Sequence, residues 1–180
     1  LNVNLNKENY IMETNIKLFN NDLLFREDGN TIMKPMEELF YNKRIVMFGL
    51  PGAFTPTCSG KQLPAYEDMY DLFMDTEKVD DIYCLSVNDM FVMDAWGKDL
   101  GIKKVKLIPD GDGGVVRQLG MLVDKPGLNF GLRSWRHSSF VINGIVKKMF
   151  VEDGINNQGV NGDPYEVSDP QTMLDYVKSL

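Results

Sequence analysis

The sequence predicts an α/β sandwich built around a mixed β-sheet. Three observations carry that prediction: apolar runs of strand length alternate with stretches of helical periodicity, the pair Asn143-Gly144 marks a tight hairpin late in the chain, and neither an internal repeat nor a linker divides the 180 residues. Parallel strands joined by helices are covered on both faces, whereas a hairpin adds an antiparallel pair, so together they imply a mixed sheet between helical layers.

Residues 1–15 are polar and Asn-rich and read as a flexible N-terminal segment, which leaves 16–180 as one domain, a length that a single core serves. Arg44-Ile45-Val46-Met47-Phe48-Gly49-Leu50 is an apolar run ended by Pro51-Gly52, the pattern of a central strand buried on both faces. From Ser59 onward Leu63, Tyr66, Met69, Tyr70 and Phe73 recur at helical spacing among acidic residues, so a helix begins near Cys58. Pro64 has no N–H to donate and should kink that helix near its start. Residues 81–87 read as a second buried strand, Asn88-Asp89 as the cap of a helix running to about Leu100, and residues 105–108 as a third strand.

Beyond Pro109, the loop Asp110-Gly111-Asp112-Gly113-Gly114 precedes a short helical stretch. Residues 140–142 then pair with 145–151 across Asn143-Gly144. Asp169-Pro170-Gln171 supplies a cap and a first-turn proline for a closing helix that carries Met173, Leu174, Tyr176 and Val177.

The formal charge of −7 argues against nucleic acid, because phosphate binding needs a basic face that displaces counterions. The longest apolar run, 45–50, is far short of the roughly 20 residues that cross a bilayer, so no membrane span is expected. Two cysteines cannot build a disulfide framework and match no zinc-ligand spacing, so neither a metal nor a cofactor is expected, and a reducing or redox-active compartment suits them better than secretion. The expected location is intracellular: the cytoplasm or, if a targeting peptide preceded Leu1, a plastid-like organelle or mitochondrion.

Cys58 stands just past a buried strand at the opening of a helix, where unpaired backbone N–H groups favour a thiolate. On position alone it could equally be a small buried hydrophobe. Its context decides. The segment Pro51-Gly52-Ala53-Phe54-Thr55-Pro56-Thr57-Cys58 resembles the peroxiredoxin motif Pro-x-x-x-Thr-x-x-Cys, with the Gly-Ala-Phe-Thr-Pro core of the type II, peroxiredoxin-5-like branch. Ordered matches continue through Leu85-Ser86-Val87-Asn88-Asp89, Trp96-Gly97, Asp110-Gly111, residues 133–136 and Tyr165-Glu166-Val167-Ser168-Asp169, so the resemblance spans residues 16–180.

The resemblance implies a thioredoxin-like three-layer sandwich and a peroxidase acting on hydrogen peroxide and alkyl hydroperoxides. Carried over by position, it implies Cys58 as the peroxidatic nucleophile, Thr55 as its hydroxyl partner, Arg136 as the guanidinium beside the thiolate, Pro51 as its shield, and Thr57 and Arg133 as supports. Without it Arg136, 78 positions beyond Cys58, would read as a solvated surface residue, and for Arg133 that reading stays open. An ordinary thiol of pKa near 8.5 is about 3% ionised at pH 7, so full ionisation gains roughly 30-fold. The larger gain must come from donors aimed at the peroxide oxygens, each worth on the order of 10²–10³ in rate. Thr55, Arg136 and backbone N–H groups are the candidates. His137, the only histidine, stands where relatives usually carry an aromatic residue and reads as structural.

The sequence also departs from the pattern. Residues 152–180 lack the resolving cysteine of mammalian type II relatives, and Cys84 lies mid-strand, where core packing is expected. A one-cysteine cycle follows, completed by glutathione, glutaredoxin or thioredoxin, as in plant and microbial relatives and the malarial antioxidant protein; a homodimer is expected from the same resemblance. Gln62 stands where many relatives have a histidine, so an imidazole is lost while amide hydrogen bonding remains possible, and residues 154–162 look like a polar surface insertion. The competing readings are a thiol–disulfide oxidoreductase, which would want a Cys-x-x-Cys that Ser59-Gly60-Lys61 does not provide, and a redox-sensing binding module. A cysteine hydrolase lacks a positioned histidine base.

Overall fold

The computed structural model describes residue 18, residues 22–155 and residues 162–180. The N-terminal segment 1–15 and most of the insertion expected at 154–162 lie outside the described residues.

The described chain opens with a hairpin, β1 (Asp22–Glu27) and β2 (Asn30–Pro35), turned at Asp28-Gly29, whose φ values of 49° and 82° suit a tight turn. The sequence reading passes over this pair because Leu23 is its only fully buried side chain, so no clean alternation marks it. A short helix, α1 (Met36–Phe40), leads into β3 (Arg44–Leu50), which is the central strand.

After β3 comes a π turn over Cys58–Gln62, then α2 (Leu63–Asp68) and α3 (Tyr70–Met74). The kink expected at Pro64 takes this form: Pro64 cannot donate to the Gly60 carbonyl and its ring crowds it, so the turn widens and the Leu63 N–H reaches back five residues to the Cys58 carbonyl. Next come β4 (Asp81–Ser86), α4 (Met90–Asp99), β5 (Lys106–Pro109) and α5 (Gly114–Gln118). The pair β6 (Leu122–Asp124) and β7 (Leu132–Ser134) was too short to announce itself in the sequence. The chain closes with β8 (His137–Ile142), β9 (Ile145–Val151) and α6 (Pro170–Ser179). Asp89 and Asp169 cap α4 and α6, each carboxylate accepting from two backbone N–H groups.

The sheet runs β5-β4-β3-β8-β9, with β5, β4 and β3 parallel and β8 and β9 antiparallel to their neighbours. Alternation along the central strands sorts two cores. Ile45 and Met47 of β3 with Tyr83 and Leu85 of β4 pack against α1 and α5; Val46, Phe48, Ile82 and Cys84 face α2, α3, α4 and α6. This is the thioredoxin-like three-layer arrangement. Tyr66 of α2 stacks on Phe48 at 4.0 Å and donates to the Ser168 carbonyl at 2.9 Å, which ties the cysteine-bearing helix to both the sheet and the approach to α6.

His137 pairs with Gly49 across β3 and β8, and its buried ring fills the space a side chain there would need: a Cβ on Gly49 would lie 2.2 Å from Cε1. Nδ1 lies 2.9 Å from the Trp135 carbonyl, so it carries the proton of the neutral ring, and burial lowers the pKa to about 4. The unfolded chain, with an ordinary histidine near 6.5, takes up this proton first. Stability is therefore complete above about pH 6.5 and falls as pH drops toward 4, by on the order of 3 kcal/mol. Denaturant midpoints measured against pH should show this acid limb, and His137→Phe should flatten it; an unchanged slope would reject the assignment.

Candidate active site

The loop between β3 and the π turn is held from several sides. Asn88 Oδ1 accepts from the Ala53 N–H at 3.0 Å and the Ser86 hydroxyl at 2.7 Å, so the end of β4 grips the loop. Phe54 sits at φ 62° with its ring half exposed, a left-handed conformation that costs a non-glycine residue roughly 1 kcal/mol and persists only where the surroundings impose it. Arg133 Nη1 reaches the Pro51 carbonyl at 3.4 Å and its Nε the Phe130 carbonyl at 3.0 Å. Gly52 leaves room for that guanidinium, since a Cβ there would lie 2.7 Å from Nη1. Arg133 thus braces the loop through two backbone carbonyls.

Cys58 is wholly buried under this loop, and the π turn that follows it is pinned by a hydrogen bond from Trp96 Nε1 to the Ser59 hydroxyl at 3.0 Å. Arg136, immediately before β8, is 1% exposed, so the solvated-surface reading is excluded for it. Its Nη1 donates to Gln62 Oε1 at 2.5 Å and lies 3.6 Å from Cys58 Sγ, while Nη2 pairs with the half-exposed Asp163. Burial works to lower the Arg136 pKa, but Cys58 and Asp163 outweigh it and raise it, so the guanidinium is a fixed cation beside the sulfur. The ring of Tyr165 lies 5.8 Å from its carbon.

Thr55 differs from its expected role as a donor. Its hydroxyl donates to the Gly52 carbonyl at 2.8 Å, and its own carbonyl accepts from the Ser59 N–H at 2.9 Å. With the proton committed, the oxygen presents lone pairs instead. Pro51 is buried and Thr57 half-buried, next to Cys58 in the chain.

Cys84 shares the apolar cluster that encloses Cys58 but lies in register between Phe48 and Leu107 in the sheet, and both thiols are free. Burial pushes the Cys84 thiol well up, and the neighbouring Cys58 pushes the same way. A thiol held protonated in a strand interior is a poor nucleophile toward a sulfenic acid.

Three supporting residues carry no local sequence signal. Glu152, 2% exposed, accepts at one carboxylate oxygen from the N–H groups of Glu166, Val167 and Ser168 and from the Ser168 hydroxyl, which shapes the segment bearing Asp163 and Tyr165. Lys125, also 2% exposed, lies 4.9 Å from the Trp135 ring and donates to the Gly162 carbonyl at 3.4 Å; burial lowers its pKa. Asp163 itself becomes visible only once the fold brings it to Arg136. Among the described residues no cluster could hold a metal ion, and no helix is long and apolar enough to cross a membrane.

Residues 21–164 match the Redoxin family. The chain is 53% identical over 145 residues to a peroxiredoxin of Synechocystis, an alignment covering 81% of this chain and 76% of the relative. The structure of the Plasmodium falciparum antioxidant protein, a 1-Cys peroxiredoxin, superposes with a TM-score of 0.87 at 37% identity, covering 94% of this chain and all of that one. The reduced Vibrio vulnificus Prx3 in complex with hydrogen peroxide gives 0.81 at 34% identity, covering 92% and 99%.

Proposed function

The chain belongs to the Redoxin family as a peroxiredoxin, a thiol-dependent peroxidase, and from that premise we propose that it works by a one-cysteine cycle in which Cys58 attacks the peroxide and an external thiol restores it. The observation that carries the reading is the Arg136 guanidinium, buried with its Nη1 3.6 Å from Cys58 Sγ.

The Cys58 thiolate attacks the terminal peroxide oxygen, an S–O bond forms as the O–O bond breaks, and the departing alkoxide or hydroxide takes up the proton that the thiol released. The sulfur loses two electrons and becomes a sulfenic acid. Arg136 faces the charge that moves from sulfur to the leaving oxygen, and Thr55 Oγ1 accepts the peroxide O–H, which fixes the attacked end. Arg133, Pro51 and Thr57 hold and shield the loop. An external thiol then attacks the sulfenic sulfur, forming a mixed disulfide and releasing water, and a second thiol reduces that disulfide. Glutathione, glutaredoxin or thioredoxin fills this role. The burial of Cys84 supports the assignment, since it leaves no second thiol suited to the step. A homodimer belongs to the same reading, supported by the exposed apolar side chains Phe54, Leu128 and Leu132 on the loop and on the segment that Arg133 ties to it.

Cys84→Ser tests the cycle. Steady-state peroxide consumption with glutathione and glutaredoxin should stay within about twofold of the parent; loss of turnover in a folded variant would replace the one-cysteine cycle with an intramolecular one.

A further inference from the structure

In the sequence Gln62 stands for a lost imidazole with amide hydrogen bonding still possible, and its surroundings ask more of it. Its side chain is wholly buried, one wide turn after Cys58. The carboxamide oxygen takes the short bond from Arg136 Nη1, the same nitrogen that lies by the sulfur. The carboxamide nitrogen has no acceptor, and neither does Arg136 Nε, among the described residues. Two buried donors are thus left unmatched on Arg136, whose Nη1 lies beside Cys58 Sγ, and on Gln62, which is bonded to that same nitrogen. A buried donor left without a partner typically costs 1–3 kcal/mol, so a native fold rarely keeps two side by side unless something else satisfies them. An apolar ligand would not, whereas a molecule offering acceptor oxygens next to the sulfur would.

Resting on the peroxidase reading, we propose that Gln62 is a further catalytic residue, whose Nε2–H donates to a peroxide oxygen as the O–O bond opens while its Oε1 keeps Arg136 turned toward the sulfur. The two halves of the amide suit the two tasks. An amide presents an acceptor and donors together and does not titrate, so both bonds hold across the whole working pH range. The attack is the one written above: the S–O bond forms, the O–O bond breaks, and negative charge gathers on the departing oxygen until it takes the thiol's proton. A donor poised there strengthens as that charge develops, which is the condition for lowering the barrier rather than only binding substrate.

The test is single-turnover oxidation of Cys58 by hydrogen peroxide, followed beside alkylation of the same thiol by iodoacetamide, which reads sulfur reactivity without peroxide oxygens. Gln62→Met keeps the volume and removes the amide; peroxide oxidation should fall roughly 10–100-fold while alkylation moves less than about threefold. Gln62→His, which restores a donor, should recover much of the loss and add an imidazole's inflection between about pH 5 and 8 to the parent's pH profile. Equal losses in both reactions, or an unchanged oxidation rate in Gln62→Met, would overturn the role. If the methionine variant does not fold, a histidine variant with neither the inflection nor a changed rate would overturn it as well. These results stand apart from the peroxidase reading, which fails only if the parent itself oxidises no faster than a free thiolate.

Discussion

Replacing Cys58 with serine is expected to reduce peroxide consumption to the rate at which glutathione and peroxide react unaided. The substitution exchanges one atom in a wholly buried position, so the packing under the loop survives and the thermal midpoint should move little. What goes is the chemistry. A hydroxyl is not ionised near neutral pH, and among the described residues this site places a guanidinium beside the nucleophile but no base suited to take a proton from serine. His137, the one imidazole, is buried on the strand, and burial lowers its pKa to about 4, which makes it too weak a base to draw a proton from a serine hydroxyl. Residual catalysis well above the uncatalysed rate, measured with glutathione and glutaredoxin in excess, would mean that another group attacks the peroxide.

Removing the Arg136 guanidinium should cost about 10²–10³ in the second-order rate of Cys58 oxidation, the loss typical of one donor aimed at developing charge. Arg136→Met keeps much of the bulk. It leaves Asp163 free to be hydrated, because that carboxylate is already half exposed, but it strips the buried Gln62 oxygen of its partner. Stability should therefore fall by about 1–3 kcal/mol, far too little to account for the rate loss in a protein that remains folded. Arg136→Lys retains the charge without the fork that serves Cys58, Gln62 and Asp163 together, and an intermediate rate is expected from it. Stopped-flow oxidation of each purified variant supplies the numbers; a methionine variant as fast as the parent would remove Arg136 from the mechanism.

Much of this architecture could be read from the sequence where local rules act alone. The central strand, the caps at Asp89 and Asp169 and the hairpin at Asn143-Gly144 each follow from short patterns with a direct backbone cause. The first hairpin was hidden because only Leu23 among its side chains is fully buried, and burial is what writes alternation into a strand. The site divides in the same way. Cys58 and Thr55 lie in one contiguous motif, but Arg136, Gln62 and Asp163 meet only because β8 runs beside β3 and Glu152 shapes the segment before α6. Thr55 shows a finer limit: the motif names the hydroxyl, while the direction of its proton depends on the Gly52 carbonyl and emerges only in three dimensions.

The claim at the centre of this account is that Cys58 completes its cycle with a thiol from outside the chain, and the mass of the intact protein tests it most directly. Reduced protein is treated with one equivalent of hydrogen peroxide, with and without glutathione, and then digested to locate the modified residue. The expected product without glutathione is a sulfenic acid on Cys58 that dimedone traps; with glutathione it is a mixed disulfide on Cys58, and Cys84 stays reduced in both. A disulfide joining Cys58 to Cys84, formed whether or not glutathione is present, would contradict it.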